Sequence, residues 1–213
     1  MVAAILTIMG LIIGFTFSMA VGRYDQRKNY EEEEANAIGT EYLRAGLLPA
    51  ADAKQVRMLL TRYVDQRIVY YVTRNDRELQ QTNHRTAQLQ TDLWTAVQAP
   101  GAAQPNPVVA LAVGGMNDVI NSQGYSQAAW WNRIPSSAWA LMGAIAIFSS
   151  AMVGYGAKSF KAEAYFLWVL PVVLSISFML IADIDSPRSG LILLKPQNLI
   201  SLANSIRVPQ STQ

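Results

Sequence analysis

The fold of this chain is decided by residues 1–22, MVAAILTIMGLIIGFTFSMAVG, which contain no Asp, Glu, Lys, Arg or His. Residues 134–157 and 164–182 share this property. As a helix rising about 1.5 Å per residue, even the shortest run is roughly 28 Å long, close to the hydrocarbon thickness of a bilayer. Only helices and closed barrels satisfy their backbone in lipid, and these runs lack the alternation of barrel strands. We therefore predict three membrane-spanning helices.

The rest of the composition excludes several classes of protein. The 17 Lys and Arg residues against 15 Asp and Glu give a net charge of +2, too balanced for a nucleic-acid-binding protein. The absence of Cys excludes disulfides, and the single histidine, His84, excludes a multi-histidine metal site. No nucleophile–base pair, phosphate-binding glycine loop or metalloenzyme motif is present, so we predict that the protein is not an enzyme.

The basic residues predict the orientation of the spans. Lys158 and Lys161 are the only ones between spans two and three, whereas the others flank the opposite side. By the positive-inside rule, residues 23–133 and the tail 184–213 are cytoplasmic in a plasma membrane or bacterial inner membrane. Residues 1–22 lack the features of a cleaved signal and are expected to be retained. In this orientation residues 1–22 begin on the outer side of the membrane, which suggests that another helix precedes Met1.

The segment between the first two spans is predicted to be helical with defined breaks. The first helix is expected to continue to about Gly46 and to break at Gly46-Leu-Leu-Pro49. Helical patterning returns over residues 53–98, with an interruption near residues 74–77. Residues 99–107 are rich in proline and are predicted to form a loop. A further helix is predicted over residues 108–121, with a bend at Gly124.

Three tryptophans, Trp130, Trp131 and Trp139, bracket the start of the second span and are predicted to be interfacial anchors. After the third span, a turn and a short helix over residues 196–206 are expected. Nothing in the sequence has a strand pattern. The fold class is therefore all-α, a polytopic membrane bundle with a helical cytoplasmic region. Its segments are the span 1–22, the cytoplasmic helices 23–133, the membrane hairpin 134–183 and the tail 184–213.

The first span carries two stripes with a period of four residues. Small residues form one of them, which allows close approach of helices in a membrane: Gly10, Gly14, Ser18 and Gly22. The partner could be another helix of the same chain or another copy of it. The second stripe, Thr7, Leu11 and Phe15, would face lipid or a neighbouring helix if the helix stood alone.

The sequence around this span resembles the bestrophin family of ion channels. Gly14-Phe15 is followed after seven residues by Arg23-Tyr24 and then by Arg27-Lys28, as at the end of the bestrophin neck. The order of elements is similar to that family, and Asp183-Ile-Asp185-Ser-Pro187 is similar to its calcium-binding clasp. As a whole, the chain resembles the bacterial bestrophin-like proteins.

This resemblance implies a homo-oligomer, a pentamer by the family pattern, with membrane lipid and inorganic ions as partners. The neck residues would be Thr7, Leu11 and Phe15, and the charges of the pore vestibule would be Arg23, Arg27 and Lys28. Asp183 and Asp185 become candidate calcium ligands, although two carboxylates fall short of the six to eight oxygens that calcium takes. Calcium is the only cofactor that the sequence suggests.

Two departures from the family pattern matter. Bestrophins have four spans, and here three are visible, which agrees with a missing helix before Met1. The neck has Thr7 where the family prefers a bulky apolar residue.

Charge does not decide which ion would pass. Over residues 23–34, three basic and five acidic residues sum to −2. The run Glu31–Glu34 is predicted to be a solvated helix surface. The sequence therefore favours a passive, oligomeric ion channel of unresolved selectivity. The alternative is a non-conducting membrane scaffold or sensor whose cytoplasmic helices bind a partner protein.

Overall fold

The computed structural model of the chain describes residues 2–103, 105–156 and 160–207. In these ranges the chain is helical and forms no strand, which confirms the all-α prediction. The helices are α1 Val2–Arg44, α2 Ala50–Val72, α3 Asp76–Ala103, α4 Pro107–Trp131, α5 Ser136–Gly156, α6 Phe160–Asp185 and α7 Gln197–Arg207.

Three helical stretches are long and apolar enough to cross a membrane: Ala3–Leu47, Pro107–Tyr155 and Trp168–Asp185. In the first of them charged residues begin at Arg23, so the membrane-spanning part is residues 3–22. The predicted helices of all three spans are confirmed. Met1, Ala157 and Lys158 lie outside the described residues, as do residues 208–213 of the predicted tail.

The break after α1 follows from the residue before a proline, which is pushed out of the helical region. Leu48 precedes Pro49 and is extended, with φ −84° and ψ 161°. The amide of Leu48 donates to the carbonyl of Ala45, and the carbonyl of Pro49 accepts the first hydrogen bond of α2, from Ala53. The predicted break at residues 46–49 is therefore confirmed.

The predicted interruption near residues 74–77 is also confirmed. The side chain of Asn75 accepts hydrogen bonds from the amides of Arg77, at 2.9 Å, and Glu78, at 3.4 Å. An asparagine in this position caps the unsatisfied donors at the start of a helix. Asp76 and Glu78 add negative charge to the first turn, where the helix dipole favours it.

Two local predictions are wrong. Helix α3 continues through Pro100 to Ala103, so most of the predicted loop 99–107 is helical. Pro100 is buried in the last turn of α3. A proline removes one backbone hydrogen bond of a helix, and only three helical residues follow this one, so the disturbance is small. Helix α4 continues past residue 121, its predicted end, to Trp131, because an isolated glycine such as Gly124 costs a helix only about 1 kcal/mol.

The chain divides into two compact units. The first contains Met1–Asp25 and Asn132–Leu193. Its core is a small apolar cluster between α1, the start of α5 and the end of α6, formed by Ala20, Ile134, Ile181 and Ile184. Trp139 packs edge-on against Phe178 in the same unit.

The second unit contains Gln26–Trp131 and Leu194–Gln213. In this unit α2 packs against α3 and α7, and α3 packs against α4. Trp130 is only 3% exposed and packs edge-on against Tyr70 and Tyr71. Its prediction as an interfacial anchor is therefore wrong, whereas Trp131, at the end of α4, is 73% exposed.

Candidate functional site

The predicted neck residues lie on a face of α1 that contacts little else among the described residues. Leu11 is 57% exposed and Phe15 is 67% exposed. Thr7 is exposed as well, and its hydroxyl donates to the carbonyl of Ala3, at 2.9 Å, within the same helix. Since that hydroxyl is satisfied locally, the whole stripe needs no polar partner.

The opposite face of α1 packs inside the first unit. Met9 is 6% exposed, Thr16 is 7% exposed and Ala20 is fully buried. At about 100° per residue, this face and the stripe of Leu11 and Phe15 are centred roughly 140° apart. The helix is therefore held by one side only.

The stripe of small residues also has no neighbour in the described part of the chain. A Cβ atom added at Gly10, Gly14 or Gly22 would meet nothing within 4 Å apart from α1 itself. Within the described residues, therefore, no other helix of the same chain lies against this stripe. Contact between copies remains as the prediction.

The predicted vestibule charges have different surroundings. Arg23 is mostly buried and pairs with Asp185, at 3.4 Å. Arg27 is 1% exposed, and its Nε donates to the carbonyl of Ala129, at 3.1 Å. Lys28 is exposed. The structure corrects the expectation for Arg27, because a buried guanidinium bound to a backbone carbonyl does not present its charge to a vestibule.

The two candidate calcium ligands accept hydrogen bonds from backbone amides of the segments between helices. The carboxylate of Asp183 accepts the amides of Leu191, at 2.7 Å, and Ile192, at 2.8 Å. The carboxylate of Asp185 accepts the amide of Ile134 with both oxygens, at 3.2 and 3.0 Å. These donors and Arg23 point at the oxygens that calcium would need.

Within the described residues, no group of three or more His, Cys, Asp or Glu side chains could hold a metal ion. The two carboxylates, whose oxygens already accept backbone amides, supply too few ligands for calcium within one chain. Calcium binding by Asp183 and Asp185 stays a prediction, because ligands from another copy would be required.

The glutamate run contains two buried residues that sequence reasoning missed. Glu34 is fully buried and pairs with Arg67 of α2. The same carboxylate accepts the hydroxyl of Tyr71, at 3.0 Å, and Arg67 also donates to the hydroxyl of Ser126, at 3.1 Å. The expectation of a wholly solvated run is therefore wrong for Glu34, and Glu31 is its second buried member.

Burial and the neighbouring charges determine the pKa values of the groups around the Glu34–Arg67 pair. Burial alone would lower the pKa of Arg67, but the adjacent carboxylate of Glu34 raises it above its ordinary value, so the guanidinium stays charged. Burial raises the pKa of Tyr71 above its ordinary value, and the Glu34 carboxylate acts in the same direction. Tyr71 therefore remains a neutral donor to Glu34.

Glu31 caps the start of α7, a helix that is distant from it in the sequence. It is 1% exposed, and its carboxylate accepts the backbone amide of Leu199, at 2.9 Å, and the side-chain amide of Asn198, at 2.7 Å. Both donors lie in the first turn of α7, where unsatisfied amides favour a negative charge. Glu31 thus fixes the start of α7 against α1.

Comparisons with known proteins agree with this architecture. The profile of the bestrophin-like domain family matches residues 1–199. No curated protein sequence matches the chain.

Three solved structures illustrate the similarity in fold. A variant of a bacterial bestrophin homolog from Klebsiella pneumoniae has a TM-score of 0.73 at 12% identity, over 96% of this chain and 83% of that chain. Another crystal structure of that homolog has a TM-score of 0.67 at 13% identity over the same shares. A structure described only as a membrane protein has a TM-score of 0.74 at 11% identity, again over 96% and 83%.

Proposed function

This chain belongs to the bestrophin-like family, and we propose that several copies of it form a passive ion channel lined by residues 3–22 of α1. Members of this family are known as ion channels rather than as enzymes. The apolar helices make the protein an integral membrane protein. We further propose that five copies surround the pore and that residues 23–133 and the tail are cytoplasmic.

The observation that carries the proposal is the exposure of Leu11 and Phe15, on the face of α1 opposite to the packed one. In a ring of copies this face would turn toward the axis, and the adjacent small-residue stripe would allow the helices to approach each other closely. The neck would then consist of Thr7, Leu11 and Phe15.

The proposed mechanism is passive conduction through a hydrophobic constriction. Leu11 and Phe15 would form apolar rings that conduct when wetted and block when dry. The apolar runs 1–22, 134–157 and 164–182 contain no Asp, Glu, Lys, Arg or His. Coupled transporters and pumps depend on such groups in the membrane, so their absence from these runs favours a passive pore.

The charges next to the neck favour cations in this proposal. Arg23 is paired with Asp185. Asp25 is exposed and forms no ion pair or hydrogen bond with the described residues. Asp25 lies about 40° around α1 from the centre of the neck stripe, at about 100° per residue. The first uncompensated charge past the neck would therefore be a carboxylate, which attracts cations.

The proposal is tested by ion flux into liposomes that contain a known amount of purified protein. We expect the wild type to leak ions and Leu11→Trp to block the leak by filling the neck. Ile147→Trp is the matched control, because Ile147 lies on α5 and is 71% exposed. Its flux should equal that of the wild type.

Tight liposomes with the wild-type protein would overturn the channel. They would favour the alternative, a non-conducting scaffold or sensor. Equal block by Leu11→Trp and Ile147→Trp would show that the first substitution acts through folding and not through the neck.

A further inference from the structure

Helix α1 contains a buried carboxyl group that has no role in the proposed channel. Glu41 is fully buried, and neither of its carboxyl oxygens has a hydrogen-bond partner in the described part of the chain. A carboxylate in such surroundings costs several kcal/mol unless it is paired or neutralised. The position of Glu41 therefore needs a chemical explanation.

The surroundings of this carboxyl come from α1 and α4. A Cβ atom at Gly115 would collide with Oε2 of Glu41 and would lie 2.7 Å from Nη1 of Arg44. The missing side chain at residue 115 thus provides the space for both groups. Arg44 lies 3.9 Å from Asp118 of α4; the side chain of Arg44 is partly exposed and that of Asp118 is exposed.

Two charged groups act on Glu41, and they oppose each other. Burial is the largest influence and raises the pKa of Glu41 to about 8, whereas Arg44 lowers it and Asp118 raises it. The carboxyl lies 19 residues beyond the apolar part of α1, about 28 Å along the helix and outside the membrane-spanning segment.

We propose that Glu41 is a proton-binding site that holds α1 against α4 while it is neutral. Loss of the proton leaves a buried charge, and the nearest cation, Arg44, then turns from Asp118 to Glu41. The buried charge is the main effect that loosens the contact between α1 and α4, because the ion pair that is lost joins a partly exposed and an exposed group 3.9 Å apart and contributes little. The bound species is a proton alone, and the site is independent of whether the protein conducts ions.

Because Glu41 binds its proton more tightly in the folded state, the stability of the protein depends on pH in a defined direction. The folded carboxyl titrates near pH 8, and the ordinary value is 4.5. Between these values the folded state binds more protons than the unfolded state, so stability falls as the pH rises. Below about pH 4.5 the contribution is fully present, and above about pH 8 it is lost.

The test measures the unfolding midpoint of the purified full-length protein in detergent between about pH 5 and pH 9. We expect the midpoint of the wild type to fall over this range and that of Glu41→Gln to fall less. The matched control is Glu33→Gln, because Glu33 lies on the same helix and is exposed. Its pH dependence should equal that of the wild type, since other buried carboxyls such as Glu31 are common to all three proteins.

Infrared difference spectroscopy provides a readout that does not depend on unfolding. A C=O band of a protonated carboxyl should be present in the wild type at neutral pH and should lose intensity in Glu41→Gln. Arg44→Gln should keep this band to higher pH than the wild type, because the cation that favours the charged form is removed. This second variant keeps the test valid if Glu41→Gln does not fold.

Equal pH dependence in the wild type and Glu41→Gln would overturn the proposal. An unchanged infrared band in Glu41→Gln would do the same, as would an Arg44→Gln variant that loses its band at the same pH as the wild type.

Discussion

Phe15 is one of the largest side chains on α1, yet it is 67% exposed in the single chain. In the proposed ring its phenyl group would narrow the pore and repel water. We expect Phe15→Ala to increase the single-channel conductance in planar bilayers, since a wider and less apolar constriction is wetted more easily.

Phe17 provides the matched control for this substitution. It lies on the same helix, is 39% exposed and is rotated about 160° from Phe15 at about 100° per residue. Phe17→Ala should leave the conductance unchanged. Equal conductance in Phe15→Ala and the wild type would remove Phe15 from the constriction.

Asp25 carries the proposed preference for cations. Asp25→Asn removes the carboxylate without a change in size, and we expect it to shift the reversal potential under a salt gradient toward zero or toward the anion side. Asp92→Asn is the control, because Asp92 is exposed on α3 in the other unit. If the two variants have the same reversal potential, the carboxylate of Asp25 does not select the ion.

At the scale of single elements, the turn after α6 depends on one glycine. Gly190 has φ +114°, and a Cβ atom there would overlap Oδ1 of Asp183. That carboxylate accepts the amides of Leu191 and Ile192, so Gly190→Ala would disturb the turn in two ways. We expect this substitution to destabilise the protein by at least about 1–3 kcal/mol, the usual cost of a strained backbone.

The control for this prediction is another glycine in an open position. Gly124 lies in α4, and a Cβ atom there would meet nothing within 4 Å outside its own helix. Gly124→Ala should stabilise the protein by about 0.5–1 kcal/mol, since alanine is the better helix former. Thermal unfolding of both variants checks the prediction, and a Gly190→Ala protein as stable as the wild type would contradict it.

The elements themselves were largely predictable, because their signals are local. Apolar runs predicted the spans, and Pro49 and Asn75 mark breaks whose cause lies within a few residues. The error at Pro100 has a tertiary origin. Pro100 itself is buried, and a Cβ atom at Gly101 would lie 3.2 Å from Val113 of α4, so packing at this point outweighs the helix-breaking tendency of a proline near a helix end.

The buried face of α1 was missed because part of it is charged. Its members recur at alternating intervals of four and three residues, the spacing of one helix face, and are Arg27, Glu31, Glu34, Ile38 and Glu41. The pattern is visible in the sequence once charged residues are allowed as core positions. The partners that make their burial possible, such as Arg67 and Leu199, are distant in the sequence and could not be inferred from it.

At the scale of the whole molecule, the number of copies is the property that the proposed function needs most. The neck stripe and the small-residue stripe lie side by side on α1, and neither has a partner within the described chain. A pore needs the first stripe at an axis and the second between neighbouring copies. Assembly and conduction should therefore depend on the same surface of one helix.

We expect Gly14→Leu to break this assembly while each chain still folds, because a Cβ atom at residue 14 would meet nothing within 4 Å among the described residues apart from α1. Native mass spectrometry in detergent should show a ring, five copies by the family pattern, for the wild type and smaller species for Gly14→Leu. Gly154→Leu is the control, since Gly154 on α5 is equally open but lies away from both stripes. A wild-type protein that is a monomer or a dimer would leave no room for a central pore. An intact ring in Gly14→Leu would instead place the contact between copies on another face, because a leucine cannot fit where two helix backbones approach closely.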